Sequence, residues 1–171
     1  MKLTLIRPTL EMKEMALDYK SEHFAHNEMI INGSELLDKM DSYEEWLKSV
    51  TDNMSPDTVN PDWVVTDTFF AVNDNVKIIG IIDLRHTLNE FLKDFGNSGY
   101  SVRPSERRKG YATEMLRQLL LIAKQAGLKE LHLSVERDNK PSVKTIVKNG
   151  GKYERSFVFE GKEADIYKIV L

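Results

Sequence analysis

The residues best suited to bind a charged ligand form one short run, Arg107-Arg108-Lys109-Gly110-Tyr111-Ala112. The run follows an apolar stretch typical of a strand and opens a segment with the periodicity of an amphipathic helix. The first amides of a helix have no partner within it and lie at the positive end of its dipole, so a phosphate placed there receives several N–H groups. Gly110 lets the backbone approach such a ligand without a Cβ in the way, and Ala112 is small. We therefore predict an anion site here, and a pyrophosphate fits it better than a single phosphate does.

Composition narrows the classes of protein that could carry such a site. The chain has 171 residues, of which 41% are hydrophobic and 30% are charged, and this suits one domain with a packed core. Its formal net charge of −3 argues against a general nucleic-acid binder, which needs a basic surface. It has no cysteine, which excludes disulfides, thiolate metal sites and a cysteine nucleophile. We recognise no signal peptide and no membrane-spanning run, so we expect a cytoplasmic protein. We also expect no metal site.

The spacing of apolar residues predicts the elements that must position this site. Strand patterns occur over residues 2–7, 63–72, 76–85, 99–103, 128–135, 152–159 and 164–170. Helical patterns occur over residues 10–17, 33–54, 111–125 and 139–147. This order predicts an α/β (α+β) fold, with a mixed and mostly antiparallel central sheet and helices on both of its faces.

These features together resemble the GNAT superfamily of acyl-CoA-dependent N-acyltransferases. The run from Arg107 to Ala112 matches that family's Arg/Gln-x-x-Gly-x-Gly/Ala signature, and residues 100–106 resemble the strand and approach that precede it. Downstream, Asn139-x-x-Ser142 and Asn149-Gly150-Gly151 resemble the family's second cofactor motif. Within the superfamily, the sequence resembles bacterial predicted acetyltransferases of unassigned substrate.

The resemblance implies acetyl-CoA as the acyl donor. It also implies a single GNAT domain over residues 1–171, with acceptor-site helices within 10–60 and an acetyl-CoA-binding core within 99–150. The residues that would bind the cofactor on this basis are Tyr100, Ser101, Val102, Arg107, Arg108, Lys109, Gly110, Tyr111, Ala112, Thr113, Asn139 and Ser142. The amides of 108–113 would hold the pyrophosphate, and the backbone of 100–102 would pair with the pantetheine arm like an added strand. Asn139 and Ser142 would contact that arm or the loop that holds it.

The residues that would transfer protons are harder to assign, because two residues that the family often uses are replaced. Some members place a glutamate five residues before the motif asparagine, and that position is Ser134 here. Many members place a tyrosine seven residues after it, and that position is Ile146. The candidates for proton transfer are then Asp83 and His86, at the strand end where the family often has its base, Tyr153, Glu136 and ordered water. A histidine titrates near neutrality and suits such a role.

The expected activity is transfer of an acetyl group from acetyl-CoA to a primary amine by direct attack, on a small molecule or a peptide. The alternative is an acyl-CoA-binding protein of the same fold with weak or no catalysis, which Ser134 and Ile146 favour. A nucleotide site is a weaker alternative, since the sequence lacks the Gly-x-x-x-x-Gly-Lys-Ser/Thr pattern of a P-loop. No nucleic-acid or membrane partner is expected, and the resemblance leaves a homodimer open.

Overall fold

A computed structural model describes residues 2–171, which contain seven strands and four α-helices. The strands are β1 (Leu3–Ile6), β2 (Thr66–Asn73), β3 (Ile78–Arg85), β4 (Tyr100–Val102), β5 (Glu130–Glu136), β6 (Lys152–Phe159) and β7 (Lys162–Val170). The helices are α1 (Lys13–Ala25), α2 (Tyr43–Asp52), α3 (Tyr111–Gln125) and α4 (Lys140–Lys148). Short 3-10 turns at Leu10–Met12 and Pro104–Glu106 come before α1 and α3.

The two central strands, β2 and β3, are apolar on both faces and therefore need cover on both sides. One core joins Phe69 and Ile82 of these strands to Leu116 of α3. The second core joins Phe70 to Trp46 of α2, on the side where α1 also packs. Helices thus cover both faces of the strands, and the predicted α/β fold class is confirmed.

The strands are divided between two sheets rather than joined in one. The first has the order β1-β2-β3-β4 and the second the order β5-β7-β6, with antiparallel pairing throughout the described residues. β4 is the last strand of the first sheet, and β5 is the outer strand of the second. β4 carries residues 100–102 of the predicted cofactor site, and the remaining predicted residues lie in the loop before α3, in the first turn of that helix and at the start of α4.

Asn97 joins the two sheets at one point. Its backbone amide donates to the carbonyl of His132 over 2.7 Å, and its side-chain oxygen accepts from the His132 amide over 2.8 Å. Its side-chain nitrogen donates to the carbonyl of Arg85 in the first sheet over 2.9 Å. The preceding residue, Gly96, forms an isolated bridge with Leu133. Beyond this junction the two edges are no longer paired, and a cleft lies between them.

The helix predicted over residues 33–54 is wrong in its first half. α2 begins at Tyr43, where the Ser42 hydroxyl accepts from the Glu45 amide over 3.2 Å and caps the helix. Upstream, Glu35 and Leu36 have left-handed φ angles of 50° and 72°, which a right-handed helix cannot contain. The turns over 33–42 bury Leu37 and part of Met40 but leave Leu36 exposed, although the spacing of these residues resembles a helix. The first predicted helix also differs, since α1 begins at Lys13 and continues to Ala25.

Within residues 2–171, no helix combines the length and apolar character needed to cross a membrane. The same residues bring together no group of three or more His, Asp or Glu side chains that could hold a metal ion.

Candidate active site

A cavity of about 1150 Å³ opens between the two sheets. One side of it is lined by the loop before α3, the first turn of that helix and α4, through residues within 107–113 (all but Lys109) and within 139–148. The other side is lined by segment 28–33 and by three aromatic side chains, Phe95, Phe157 and Phe159. Between them lie residues 98–102 of the first sheet and 134–136 of the second. We call the first side the loop side and the second the aromatic side.

The loop side ends at the N-terminus of α3, where backbone amides are left without helical partners. Gly110 is the N-cap residue with a φ of 85°, and no side chain caps the helix there. The first helical hydrogen bond in this turn runs from the Glu114 amide to the Gly110 carbonyl over 3.2 Å, so the amides of residues 111–113 precede it. Arg108 also has a left-handed φ of 63°. Consecutive amides in such a turn form a concave anion site at the positive end of the helix dipole.

β4 presents to the cavity a backbone edge that pairs with no other strand, although the Val102 carbonyl on this edge accepts a hydrogen bond from Arg107. The odd-numbered residues in and beside β4 bond β3. On either side of the strand, the Asp83 amide donates to the Gly99 carbonyl over 3.1 Å and the Arg103 amide donates to the Ile79 carbonyl over 2.6 Å. In an antiparallel ladder the intervening residues point their backbone groups the other way. Tyr100 and Val102 therefore direct their amides and carbonyls to the cavity side, where an extended ligand with amide groups can pair with them.

Tyr100 and Ser142 connect β4 to α4 along this edge. The Tyr100 hydroxyl lies 2.7 Å from the Ser142 hydroxyl, and the side-chain oxygen of Asn139 accepts from the Ser142 amide over 3.3 Å. Burial raises the pKa of Tyr100, so its phenol stays protonated at neutral pH. Asn139 thus caps α4, the Tyr100–Ser142 contact holds that helix beside β4, and all three residues line the cavity.

Arg107 is committed to an ion pair and does not offer a free charge. Both of its terminal nitrogens donate to the Glu28 carboxylate over 2.6 Å, and its Nε donates to the Val102 carbonyl over 3.1 Å. The hydrogen bonds from Arg107 lower the pKa of Glu28 to about 2. Nδ1 of the buried His23 lies 3.0 Å from the same carboxylate. Arg107 therefore fixes segment 28–33 against the loop side of the cavity.

Three lysines that the sequence analysis missed supply charge to the loop side. Lys140, Lys144 and Lys148 all line the cavity from α4. They are spaced by four residues, so they lie on one face of the helix. This spacing was visible in the sequence, but the direction in which the lysine face points depends on the packing of α4 against α3 and β5.

Asp83 is buried behind the cavity and pairs with a residue that the sequence analysis did not select. Its Oδ1 accepts from the Gly99 amide over 2.7 Å, and Nη2 of Arg85 lies 3.4 Å from its Oδ2. Glu35 faces the same carboxylate, and burial together with the charge of Asp83 raises the pKa of Glu35 to about 9. Glu35 is therefore protonated at neutral pH, which avoids repulsion between two buried carboxylates. Asp83 holds the start of β4 through the Gly99 amide, and neither Asp83 nor Glu35 lines the cavity.

His86 and Tyr153, the other two catalytic candidates, lie away from the cavity lining. Nε2 of His86 lies 2.7 Å from Oδ2 of Asp67, and that carboxylate also accepts from Arg7 over 3.1 Å. Tyr153 is 57% exposed on β6, and its hydroxyl lies 2.6 Å from that of Ser156. The structure thus brings the cofactor candidates together around one cavity, apart from Lys109, which donates to Glu106 over 2.8 Å and does not line it. It separates His86 and Tyr153 from that cavity.

The family of the chain follows from its sequence as a whole. Residues 2–152 match the model of the acetyltransferase (GNAT) domain, which is most of the chain. The protein belongs to this family of acetyltransferases. A comparison with curated protein sequences finds no match.

Solved structures of the same fold agree with this family. The microcin C7 self-immunity acetyltransferase MccE, in complex with acetyl-CoA and AMP, superposes with a TM-score of 0.72 at 19% identity, covering 99% of this chain and 93% of that one. Mutant forms of the spermidine/spermine N-acetyltransferase SpeG from Vibrio cholerae superpose with a TM-score of 0.66 at 16% identity, covering 98% of this chain and 93% of that one. At these identities the similarity establishes the fold.

Proposed function

We propose that this protein transfers an acetyl group from acetyl-CoA to a primary amine by direct attack. The observation that carries the proposal is one continuous cavity, which joins the free amides at the start of α3 to the gap between β4 and β5. A donor bound on the loop side and an acceptor bound on the aromatic side would meet in that gap. Holding two reactants in this way can contribute on the order of 7–11 kcal/mol to lowering the barrier.

The loop side fits acetyl-CoA in shape and charge. The amides of 108–113 would hold the pyrophosphate, and the open edge of Tyr100 and Val102 would pair with the amides of the pantetheine arm. The lysines of α4 would attract the remaining phosphate. MccE, which shares the fold, has been solved with acetyl-CoA bound. When bound, acetyl-CoA supplies the activated acyl group, and the protein supplies its position.

The aromatic side would bind the acceptor, together with segment 28–33 from the predicted acceptor region 10–60. Phe95, Phe157 and Phe159 form an apolar wall, which suits an amine that carries an apolar group. SpeG, another protein of this fold, acts on the polyamines spermidine and spermine. We therefore propose a small molecule or a peptide with a primary amine as the acceptor class.

Proton removal from the acceptor falls to Glu136 or to water. Three carboxylates line the cavity, and two of them have close cationic partners: Glu28 binds Arg107, and Glu106 accepts from Lys109 over 2.8 Å. Glu136 is exposed, and its ion pair with Lys162 is longer, with Nζ 3.6 Å from the carboxylate and beyond hydrogen-bond distance. A carboxylate in this position can accept a proton directly or through one water.

The second candidate function, acyl-CoA binding with weak catalysis, is favoured by Ile146. Its side chain is buried in the core against α3 and does not line the cavity, so α4 offers no acid at the position where the family often has tyrosine. Ser134 lines the cavity but cannot act as a carboxylate base. A binding protein would keep the cofactor site and show no transfer.

Incubation with acetyl-CoA and a panel of amines separates the two candidates. Release of free thiol that depends on the amine, with an acetylated product in the mass spectrum, supports the transferase. Tight binding of acetyl-CoA with no product from apolar amines, polyamines or peptides supports the binding protein.

A further inference from the structure

A buried hydroxyl in the gap between the sheets has no partner in the protein. Ser98 is 3% exposed, and its Oγ forms no hydrogen bond with any of residues 2–171. Ser98 also lines the cavity. A buried polar group without a partner costs about 1–3 kcal/mol, so such groups are uncommon and call for an explanation. Because this hydroxyl borders the cavity, a ligand in the cavity can supply the missing partner.

The backbone on both sides of Ser98 is held in place. On one side, Asn97 joins the two sheets through His132 and Arg85. On the other, the Gly99 amide is bound by Asp83 over 2.7 Å. Because its backbone is fixed, the Ser98 hydroxyl needs little rearrangement to meet a ligand atom. Such preorganisation is what makes a hydrogen-bond donor effective in catalysis.

The other two hydroxyl side chains of the β4 edge, and the Ser142 hydroxyl beside them, already have partners. The Ser101 hydroxyl donates to the Asn32 carbonyl over 2.7 Å, and the hydroxyls of Tyr100 and Ser142 bond each other over 2.7 Å. Ser98 differs from them because its hydroxyl is free while its backbone is fixed. Its place is the inner end of the β4 edge, next to the junction of the two sheets and farthest along that edge from the α3 loop.

We infer that the Ser98 hydroxyl donates a hydrogen bond to the carbonyl oxygen of the acetyl group. This inference rests on the proposed function, since a donor whose pyrophosphate lies at the α3 loop and whose arm pairs along β4 ends beside Ser98. As the acceptor nitrogen forms the C–N bond, the carbonyl electron pair moves onto oxygen, where Ser98 stabilises the charge. Return of that pair breaks the C–S bond, sulfur leaves with its electrons, and the nitrogen gives up its proton to Glu136 or water.

The test compares Ser98→Ala with a matched control, Thr68→Val. The Thr68 hydroxyl is also buried and without a partner, but Thr68 lies outside the cavity lining. The readout is the infrared band of the thioester carbonyl in acetyl-CoA labelled with ¹³C at that carbon and bound to the protein without acceptor. We expect the band to lie at lower frequency in the wild type and in Thr68→Val than in Ser98→Ala.

Activity and affinity provide the second readout. Ser98→Ala should lower kcat by roughly 10²-fold, the lower end of the loss seen when one such donor is removed, while its Kd for free CoA stays within about twofold of the wild type. An unchanged carbonyl band in bound Ser98→Ala, or an equal loss of kcat in Thr68→Val, would overturn the inference. If the wild type binds acetyl-CoA and shows the shifted band but acetylates no amine, the Ser98 contact stands and the proposed transferase activity fails. If it binds no acetyl-CoA, both fail.

Discussion

The protonated Glu35 should make the free energy of unfolding decrease as pH rises, and the substitution Glu35→Gln should abolish this dependence. Burial and the charge of Asp83 raise the pKa of Glu35 from 4.5 to about 9. Below about pH 4.5 this group is protonated in both the folded and the unfolded chain, so its favourable contribution is fully present. Between the two values only the folded chain holds the proton, and unfolding releases it. Stability is therefore lost as pH rises, by about 1.4 kcal/mol per pH unit.

The size of the expected effect follows from this slope. From about pH 6 to about pH 8, both inside the window, the wild type should lose about 2.7 kcal/mol through Glu35. Glu35→Gln is neutral, like the protonated Glu35, but has no proton to release, so the variant should gain that amount relative to the wild type. Other titrating groups are common to both proteins and cancel in the difference.

Urea unfolding at several pH values measures this difference. Trp46 is a suitable fluorescent probe, because it is fully buried and its Nε1 donates to the carbonyl of Glu35 over 3.1 Å. Glu45→Gln is the matched control, since this glutamate is exposed and its side chain forms no ion pair within residues 2–171. Its stability should run parallel to the wild type. Parallel curves for Glu35→Gln and the wild type would mean that Glu35 is ionised in the folded protein and would refute the reasoning.

Three further predictions concern the junction of the sheets and the cavity. Asn97→Ala should lower the free energy of unfolding by about 2–4 kcal/mol, because it leaves two backbone groups without partners. Urea unfolding measures this loss, and a loss below about 0.5 kcal/mol, as for an ordinary surface substitution, would contradict the prediction. Lys144→Ala should weaken CoA binding by roughly three- to tenfold at low salt and less at high salt, while Lys129→Ala, at a lysine outside the cavity, should leave the affinity unchanged. Equal affinities of Lys144→Ala and the wild type for CoA would mean that this lysine does not contribute to the site. Glu136→Gln should lower kcat by about 10²-fold or more if Glu136 is the base, and an unchanged kcat would assign proton removal to water.

Local patterns in the sequence were enough to predict the strand, the turn and the helix that surround the loop before α3. The loop before α3 needs only a strand, a glycine with a left-handed φ and an amphipathic helix, and each is encoded by neighbouring residues. The bounds predicted for α3, residues 111–125, are those that the structure has. Asn139 could be selected for the same reason, since it caps the helix that directly follows it.

The features that depend on long-range contacts could not be predicted in this way. The apolar spacing of residues 33–42 resembled a helix, but the backbone turns at Glu35 and is held by Trp46, eleven residues away. Asn97 has partners 35 and 12 residues away, so nothing beside it in the sequence marks it as a junction. The free hydroxyl of Ser98 is likewise defined by what surrounds it in space. His86, selected for its residue type at a strand end, bonds Asp67 outside the cavity lining.

Calorimetric titration with acetyl-CoA tests the central proposal most directly. Gly110→Glu places a carboxylate at the free amides of α3, and Gly161→Glu places the same charge in the β6–β7 turn, at another glycine with positive φ but outside the cavity. We predict micromolar binding by the wild type and by Gly161→Glu, and none by Gly110→Glu. Binding of equal strength by all three proteins would show that acetyl-CoA does not use the α3 loop, and no binding by the wild type would contradict the proposed function.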